Sequence, residues 1–207
     1  MANNKPIPDI VVGRLPLYLR ALQRMLQEGR QVTSSQELGE RLGISAAQIR
    51  KDLSQFGEFG KQGTGYNIEY LSNQLREILH VDRVWDAAVV GAGDIGHAVA
   101  RYTGFAHRGF QIKMIFDSSP EKIGMRIGDF TVKDSATMGE EIHKAGIQVV
   151  MLSVPAGAAQ MVADELVKAG VKAILNYAPV NLVVPQGVHV QYIDPAIHLQ
   201  RMTYYLA

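Results

Sequence analysis

Residues 85–96 read WDAAVVGAGDIG, an apolar run that breaks into three glycines. Such a stretch predicts the strand, turn and helix that open a dinucleotide-binding unit. The glycines at positions 91, 93 and 96 permit, in turn, the tight bend, a close approach of the backbone to a pyrophosphate, and close packing of helix and strand. The phosphates would bind free amides at the helix N-terminus. We therefore expect six residues to contact the nucleotide: Gly91, Ala92, Gly93, Asp94, Ile95 and Gly96.

An acidic residue stands where such a unit needs one. A second apolar run over residues 110–116 ends in Asp117, about 20 residues beyond the last glycine of the turn. A carboxylate at this distance accepts hydrogen bonds from the adenosine ribose, and its charge would repel a 2′-phosphate, so NAD(H) is favoured over NADP(H). The alternative is an ordinary aspartate that caps the turn at residues 118–120.

Composition limits the possible classes of protein. The chain has 207 residues, 47% of them hydrophobic, which suits one large or two small domains with a real core. No apolar run approaches the ~20 residues of a membrane span, and residues 1–6 lack the apolar segment of a signal peptide, so we expect a soluble, cytoplasmic protein. Without cysteine there is no disulfide, thiolate metal site or thiol redox sensor. The net charge of +1 does not by itself indicate nucleic acid as a partner.

Two short helices with clear start signals are predicted in the N-terminal part. Capping boxes at residues 34–37 and 45–48 begin helices that run to Leu42 and to about Phe56. Only Gly43 and Ile44 lie between them. This spacing is typical of a helix-turn-helix, whose second helix reads the DNA major groove.

The second helix has one apolar and one polar side. At 100° per residue, Ile49, Leu53 and Phe56 lie together, and Asp52 is expected at the flank. Basic and small polar side chains on the other side could reach base edges or phosphates. We expect DNA contacts from Ala47, Gln48, Arg50, Lys51 and Ser54.

The glycine-rich residues 57–66 look like the wing of a winged helix. They form a turn between potential short strands, with Lys61 and Gln62 expected at the DNA backbone. The alternative is a solvated surface helix followed by a loop, because basic residues at helical spacing are common on surfaces. A last helix and a linker at residues 80–83 would close this domain.

From residue 85 onward, strands alternate with helices. Further apolar runs at residues 148–154, 171–176 and 188–193 predict a parallel sheet with helices on both faces and ligand beyond the strand ends. Residues at these ends should wall the nicotinamide half of the pocket: Val154, Pro155, Tyr177, Ala178 and Pro179. An apolar-rich helix from Pro195 either packs on its own sheet or docks on another protomer.

An oxidoreductase must be weighed, because this fold often hosts one. Tyr177 has no lysine four residues on, and the six histidines are scattered without metal-binding spacing, so no metal site is expected. Little chain is left for a substrate domain, so binding without turnover is favoured. An NAD-dependent oxidoreductase with a helical appendage and a CoA- or ADP-binding module remain the alternatives.

Taken together, several motifs resemble the Rex family of redox-sensing transcriptional repressors. They are RKDLS at residues 50–54, FG at 56–57 through GY at 65–66, GAGDIG at 91–96, SVP at 153–155 and NYAP at 176–179. The resemblance implies an α/β protein with a winged-helix domain over residues 1–80 and a Rossmann NAD(H)-binding domain over 84–193. It also implies a terminal helix over 194–207 that crosses to the partner in a homodimer.

The resemblance also implies a function. It implies a preference for NADH over NAD⁺, with NADH releasing the DNA. Because the two-fold symmetry of a homodimer is mirrored in its DNA, we expect a pseudo-palindromic double-stranded operator. A coupling network would match Arg20, Tyr102 and Asp194, although from the sequence Arg20 looks like a solvated helix residue and Tyr102 like a core aromatic. Gln62 and Pro195 depart from residues that are common at these places in similar proteins.

Overall fold

The computed structural model describes residues 7–61 and 63–206. They form two compact units that join between Arg83 and Val84. Gln62, predicted as a DNA contact, lies outside the described residues, as does the C-terminal Ala207.

The N-terminal unit is a helix-turn-helix with a small antiparallel sheet. Its elements are α1 (Asp9–Val12), α2 (Leu15–Gln27), β1 (Val32–Thr33), α3 (Ser35–Leu42), α4 (Ala46–Leu53), β2 (Gly60–Lys61), β3 (Gly65–Asn67) and α5 (Ile68–Ile78). Strand β3 pairs with both β1 and β2, which gives the predicted wing. The core is built from buried side chains of the helices: Leu15, Tyr18, Leu22, Met25, Leu38, Ile49, Leu53, Ile68, Leu71 and Leu75.

Local hydrogen bonds explain where the two central helices begin and end. The hydroxyl oxygens of Ser34 and Ser45 accept hydrogen bonds from the amides of Glu37 and Gln48, as the capping boxes predict. Gly43 ends α3 in the left-handed region, with φ of 66°. Helix α4 ends at Leu53, one turn earlier than the sequence indicates.

The C-terminal unit is a doubly wound sheet. Its elements are β4 (Trp85–Val90), α6 (Asp94–Arg101), β5 (Phe110–Asp117), β6 (Arg126–Ile127), β7 (Phe130–Asp134), α7 (Met138–Ala145), β8 (Val149–Leu152), α8 (Ala156–Lys168), β9 (Ala173–Asn176), β10 (His189–Tyr192) and α9 (Pro195–Thr203). The strand order is β10-β9-β8-β4-β5-β7-β6. All neighbours are parallel except β6 and β7, an antiparallel edge that the sequence reading missed.

Helices cover both faces of this sheet. Residues 87–90 of β4 are buried throughout, and alternate residues belong to two different hydrophobic clusters, one on each face. The chain enters the sheet at β4 and builds first toward β5 and later toward β8, so the strand order reverses there. Ligands of such sheets bind at this reversal point. The predicted winged helix-turn-helix and Rossmann-type sheet are therefore confirmed.

Helix α9 stands apart from the sheet of its own chain. Its apolar side chains are exposed, with Leu199 and Met202 each 62% accessible, and none of its described residues is buried. Of the two alternatives for this helix, packing on its own sheet is therefore wrong. Docking on another protomer stays a prediction.

Candidate functional site

A cleft of about 640 Å³ lies at the carboxyl ends of the central strands. Most residues predicted to bind a nucleotide line it: Gly91, Gly93, Asp94, Ile95, Asp117, Val154, Pro155, Tyr177, Ala178 and Pro179. Ala92 and Gly96 are not among its lining residues. The structure adds lining residues that no motif indicated, among them Ser118, Lys122 and Met161.

The glycine turn is shaped by its neighbours in the sheet. Gly91 has φ of 98°, its amide donates to the Phe116 carbonyl at 2.8 Å, and its own carbonyl accepts from the Ser153 hydroxyl at 2.8 Å. A Cβ at Gly91 or at Gly96 would overlap backbone oxygen, that of Ser153 in the first case and of Gly91 in the second. These two glycines are therefore required by the fold itself.

Gly93 is different, because nothing lies within 4 Å of the position a Cβ would take. It lines the cleft and caps α6 with an extended backbone conformation. The space beside it at the start of a helix suits a phosphate group, which free amides and the helix dipole would hold. The turn thus fits a dinucleotide pyrophosphate.

Asp117 is buried and already has hydrogen-bond donors around it. One carboxylate oxygen accepts from the Ala92 amide at 2.7 Å and lies 3.2 Å from the Lys122 ammonium, while the other accepts from the Ser119 amide at 2.8 Å. Burial by itself would raise the pKa of Asp117, but these bonds outweigh it and lower the pKa. Asp117 therefore caps the turn at residues 118–120 and holds the glycine turn in place. A ribose contact stays a prediction.

The wall formed by Tyr177, Ala178 and Pro179 depends on a buried amide. The Asn176 side chain donates to the carbonyls of Ala178 and Val180 and accepts from the Ala178 amide. Three polar backbone groups of this loop are thus held by one fully buried side chain. Burial also raises the pKa of Tyr177. Sequence reasoning gave Asn176 no role, because its partners are set by the loop conformation.

The outer side of α4 is open to solvent. Ala47, Arg50, Lys51 and Ser54 are exposed, as predicted for a DNA-reading helix. The Arg50 guanidinium donates to the Ser35 hydroxyl at 2.9 Å, so it is held at the start of α3. Phosphates and base edges are within reach of such side chains in helix-turn-helix proteins.

Two residues of α4 are placed differently from the helical wheel. Asp52 is completely buried rather than at the flank, and Gln48 turns inward to donate to its carboxylate at 2.7 Å. The helical wheel considers only the angle of Asp52 around the helix axis. In the structure, Arg14 and Tyr18 bind its carboxylate, which allows Asp52 to be buried in the core. Gln48 is half-buried, and its amide is engaged away from the expected DNA surface.

A second cleft lies beside the wing. It has a volume of about 650 Å³ and is lined by Ser34, Ser35, Arg50, Gly60, Gly63, Gly65 and Tyr66. Lys61 lies in strand β2, as expected for a wing residue. Burial raises the pKa of Tyr66, and the nearby Arg50 charge opposes this. The cleft joins the exposed side of α4 to the wing.

The three residues proposed for coupling differ in their local environments. Arg20 is exposed on α2, as expected. Tyr102 is 47% exposed and packs edge-on against Phe105, so the reading of it as a core aromatic is wrong. Asp194 caps α9 by accepting from the Ala196 amide at 2.9 Å. Their coupling role stays a prediction.

The described residues contain neither a metal-binding cluster nor a helix that could span a membrane. Within residues 7–61 and 63–206, no three His, Asp or Glu side chains come together as a metal would need. In the same ranges no helix has both the length and the apolar character to cross a bilayer.

Two family models match the chain. One, described as "CoA binding domain", covers residues 82–180, and the other, described as "Putative DNA-binding protein N-terminus", covers residues 6–54. The first match lies almost wholly in the C-terminal unit and the second in the N-terminal unit.

The curated relatives match nearly the whole chain. A redox-sensing transcriptional repressor Rex of Roseiflexus sp. (strain RS-1) is 54% identical over 97% of this chain and 91% of the relative. The Rex repressor of Clostridioides difficile (strain 630) is 43% identical over 99% of this chain and 97% of the length of that relative.

Solved structures agree with these relatives. The crystal structure of RSP in complex with β-NAD⁺ and operator DNA superposes with a TM-score of 0.92 at 40% identity, covering 98% of this chain and 94% of that one. RSP in complex with β-NADH gives a TM-score of 0.89 at 38% identity, covering 98% and 95%.

Proposed function

The chain belongs to the Rex family of redox-sensing transcriptional repressors, and on that premise we propose that it binds operator DNA and senses the ratio of NADH to NAD⁺. NADH binding releases the operator. The observation that carries the proposal is one chain that holds a solvent-exposed helix-turn-helix and a glycine-turn cleft.

In the proposed complex the turn from Gly91 to Gly96 holds the pyrophosphate. The ribose of the adenosine half lies at Asp117, with Lys122 beside it in the same cleft. Support comes from the open space at Gly93 and from the carboxylate at the end of β5. Val154, Pro155 and the loop at residues 177–179 enclose the nicotinamide half.

Discrimination between the two redox forms must arise at the nicotinamide, since only that ring differs and NAD⁺ carries a positive charge there. A ligand shifts an equilibrium only through its different affinities for the two states. The equilibrium here lies between a DNA-binding and a released arrangement of the dimer, and Arg20, Tyr102 and Asp194 would link it to the ring.

DNA contacts come from Ala47, Arg50, Lys51 and Ser54 on α4 and from the wing at Lys61 and Gln62. Each winged helix takes one half-site of a pseudo-palindromic duplex, because a two-fold dimer meets two-fold DNA. The protein acts in the cytoplasm as a regulator and not as an enzyme. Its relatives' names as transcriptional repressors support this assignment.

A second candidate is a module that binds CoA or ADP without sensing redox state. The CoA-binding family model over residues 82–180 favours it. Both ligands share an adenosine diphosphate portion with NAD(H), so the glycine turn alone cannot separate them. Binding of CoA or ADP with the same effect on DNA as NADH would support this candidate.

The test is a fluorescence-anisotropy titration at fixed salt. The duplex is a pseudo-palindrome selected from a random library with the wild-type protein, and it is titrated without nucleotide, with saturating NAD⁺ and with saturating NADH. We expect release by NADH but not by NAD⁺. Equal effects of both forms would leave a nucleotide-responsive regulator that does not sense redox state, and failure to select any duplex would overturn DNA binding.

A further inference from the structure

The recognition helix carries a carboxylate that is closed off from solvent. Asp52 in α4 has no exposed surface, and each of its carboxylate oxygens accepts two hydrogen bonds. One oxygen accepts from the Arg14 Nε and the Tyr18 hydroxyl, each at 2.6 Å. The other accepts from the Arg14 Nη2 and the Gln48 side-chain amide, each at 2.7 Å.

The donors come from two different places in the unit. Tyr18 lies in α2 and Arg14 directly precedes that helix, whereas Gln48 lies one turn earlier in α4 itself. The arginine binds both oxygens in a fork, which fixes the plane of the carboxylate as well as its position. The network therefore ties α4 to α2 in a defined direction.

Apolar packing cannot do this alone. Ile49 and Leu53 anchor α4 in the core, but the hydrophobic effect has no direction and tolerates small rotations of a helix about its axis. The side chains that face outward from α4 depend on that rotation. A forked ion pair on its inner side removes the freedom.

A contribution to the stability of the fold does not by itself explain such a network. Replacing a buried ion pair with well-packed apolar residues of similar size is often neutral or stabilising, because two charges no longer have to leave water. Loss of one partner alone is costly, since the other charge stays buried. The geometry, rather than the burial, distinguishes this group from an ordinary core contact.

We propose that Arg14, Tyr18 and Asp52 are positioning residues for operator recognition. They set the rotation of α4 on α2, and thereby the direction in which Arg50, Lys51 and Ser54 leave the helix. Gln48 belongs to the same network and acts through Asp52 instead of reading a base. This inference rests on the proposed DNA binding.

The experiment separates positioning from stability. The ratio of affinities for the selected operator duplex and a scrambled duplex of equal length is measured at fixed salt, beside the urea midpoint of unfolding. The triple variant Arg14→Met/Tyr18→Phe/Asp52→Leu replaces the ion pair and its buried hydroxyl with apolar side chains, so it is expected to keep the wild-type midpoint or exceed it. Its affinity ratio should fall about tenfold, the loss expected when one base contact is misplaced.

Tyr18→Phe supports the test, because it removes one hydroxyl and keeps the ring in the core. Its ratio should fall about threefold, between no change and the loss of a base contact. This single variant decides the question if the triple variant does not fold. Wild-type protein that prefers no duplex would contradict the proposed function itself. Wild-type protein that discriminates, with variants that fold and keep its ratio, would overturn the positioning role.

Gln48→Ala gives an independent check. As a member of the network it should lower the affinity for every single-base-pair variant of the operator by a similar factor. A direct reader of one base would instead lose discrimination at that base pair alone. Such a localised loss would contradict the inward role of Gln48.

Discussion

At the scale of single residues, the three glycines of the nucleotide turn serve two purposes. Gly91 and Gly96 lie against backbone oxygens, so the packing of strand and helix requires them. Gly93 faces open space in the cleft, so the packing of the fold does not require a glycine there, and we assign that requirement to the proposed nucleotide. A sequence motif treats these positions alike, whereas the structure separates them.

This separation predicts different results for two similar substitutions. Gly96→Ala should lower the free energy of unfolding by about 1–3 kcal/mol, the range for overpacking. Gly93→Ala should leave unfolding nearly unchanged and weaken NADH binding about tenfold or more, because its Cβ occupies the space beside the phosphates. Urea unfolding measures the stability of both variants, and calorimetric titration measures their affinity for NADH. Equal NADH affinity in wild type and Gly93→Ala would contradict the assignment.

Asp117→Ala should weaken NADH binding at least about tenfold, because it removes the proposed ribose acceptor and frees the Ala92 and Ser119 amides that the carboxylate holds. Binding of the selected operator without nucleotide should be unchanged. Lys122→Met serves as the control that leaves these two amide bonds in place. Loss of DNA binding together with NADH binding in Asp117→Ala would indicate a folding role instead.

The lowered pKa of Asp52 predicts that the N-terminal unit loses stability at acidic pH. Burial would raise this pKa, but hydrogen bonds from Arg14, Tyr18 and Gln48 lower it below the ordinary value of 3.8. A carboxyl with a lowered folded pKa contributes stability that is present above pH 3.8 and lost as the pH falls through the folded value. Unfolding free energy should therefore fall with acidification below about pH 4, less steeply in Asp52→Asn. Parallel pH profiles for the two proteins would contradict this.

At the scale of elements, α4 divides its residues between two tasks. Its inner side holds Ile49, Asp52 and Leu53 in the core, while its outer side presents exposed small and basic residues. The serine cap at Ser45 and the neighbouring α3 fix where the helix starts. The outer side is therefore free to contact DNA without any cost to the core.

Lys51→Ala tests the outer side. The lysine is exposed with no role in the core, so the variant should fold normally and lose about 1 kcal/mol of affinity for all duplexes alike. The slope of log affinity against log salt should fall by about 0.9 if one phosphate contact is lost. Lys172→Ala, an exposed lysine of the C-terminal unit, is the control and should keep the wild-type slope.

At the scale of the whole molecule, membership of the Rex family is confirmed by relatives that cover nearly the whole chain. The combination of two units carries that identity, because each alone occurs in many kinds of protein. Helix α9 belongs to the C-terminal unit but leaves its apolar side chains exposed. Its exposed apolar residues suit burial in a homodimer.

Leu199→Glu should therefore convert a dimer into a monomer. The side chain is 62% exposed, so the charge adds no strain to its own subunit, but it would be buried in a dimer at a cost of several kcal/mol. Light scattering should give about 45 kDa for wild type, twice the chain mass of 22.7 kDa, and half of that for the variant. Met125→Glu, 53% exposed beside the edge strand β6, should stay dimeric. A dimeric Leu199→Glu would exclude α9 from the interface.

Much of this protein was determined by sequence alone because the signals are local. The serine caps act over three residues, and the alternation of strands and helices repeats along the chain. The glycine turn follows the same logic, since a tight bend and a helix start need particular residues within a short span. These features also carried the family resemblance.

Tertiary structure decided the features that depend on distant partners. Asp52 became a core residue because Arg14 and Tyr18, 38 and 34 positions away, reach it. Asp117 holds the glycine turn in place because the amide of Ala92, 25 positions earlier, donates to its carboxylate. The pairing of β6 with β7 and the exposure of α9 likewise depend on how elements pack in three dimensions, and not on the local sequence. Periodicity gives the angle of a side chain on its own element, but only packing determines which partners lie opposite it.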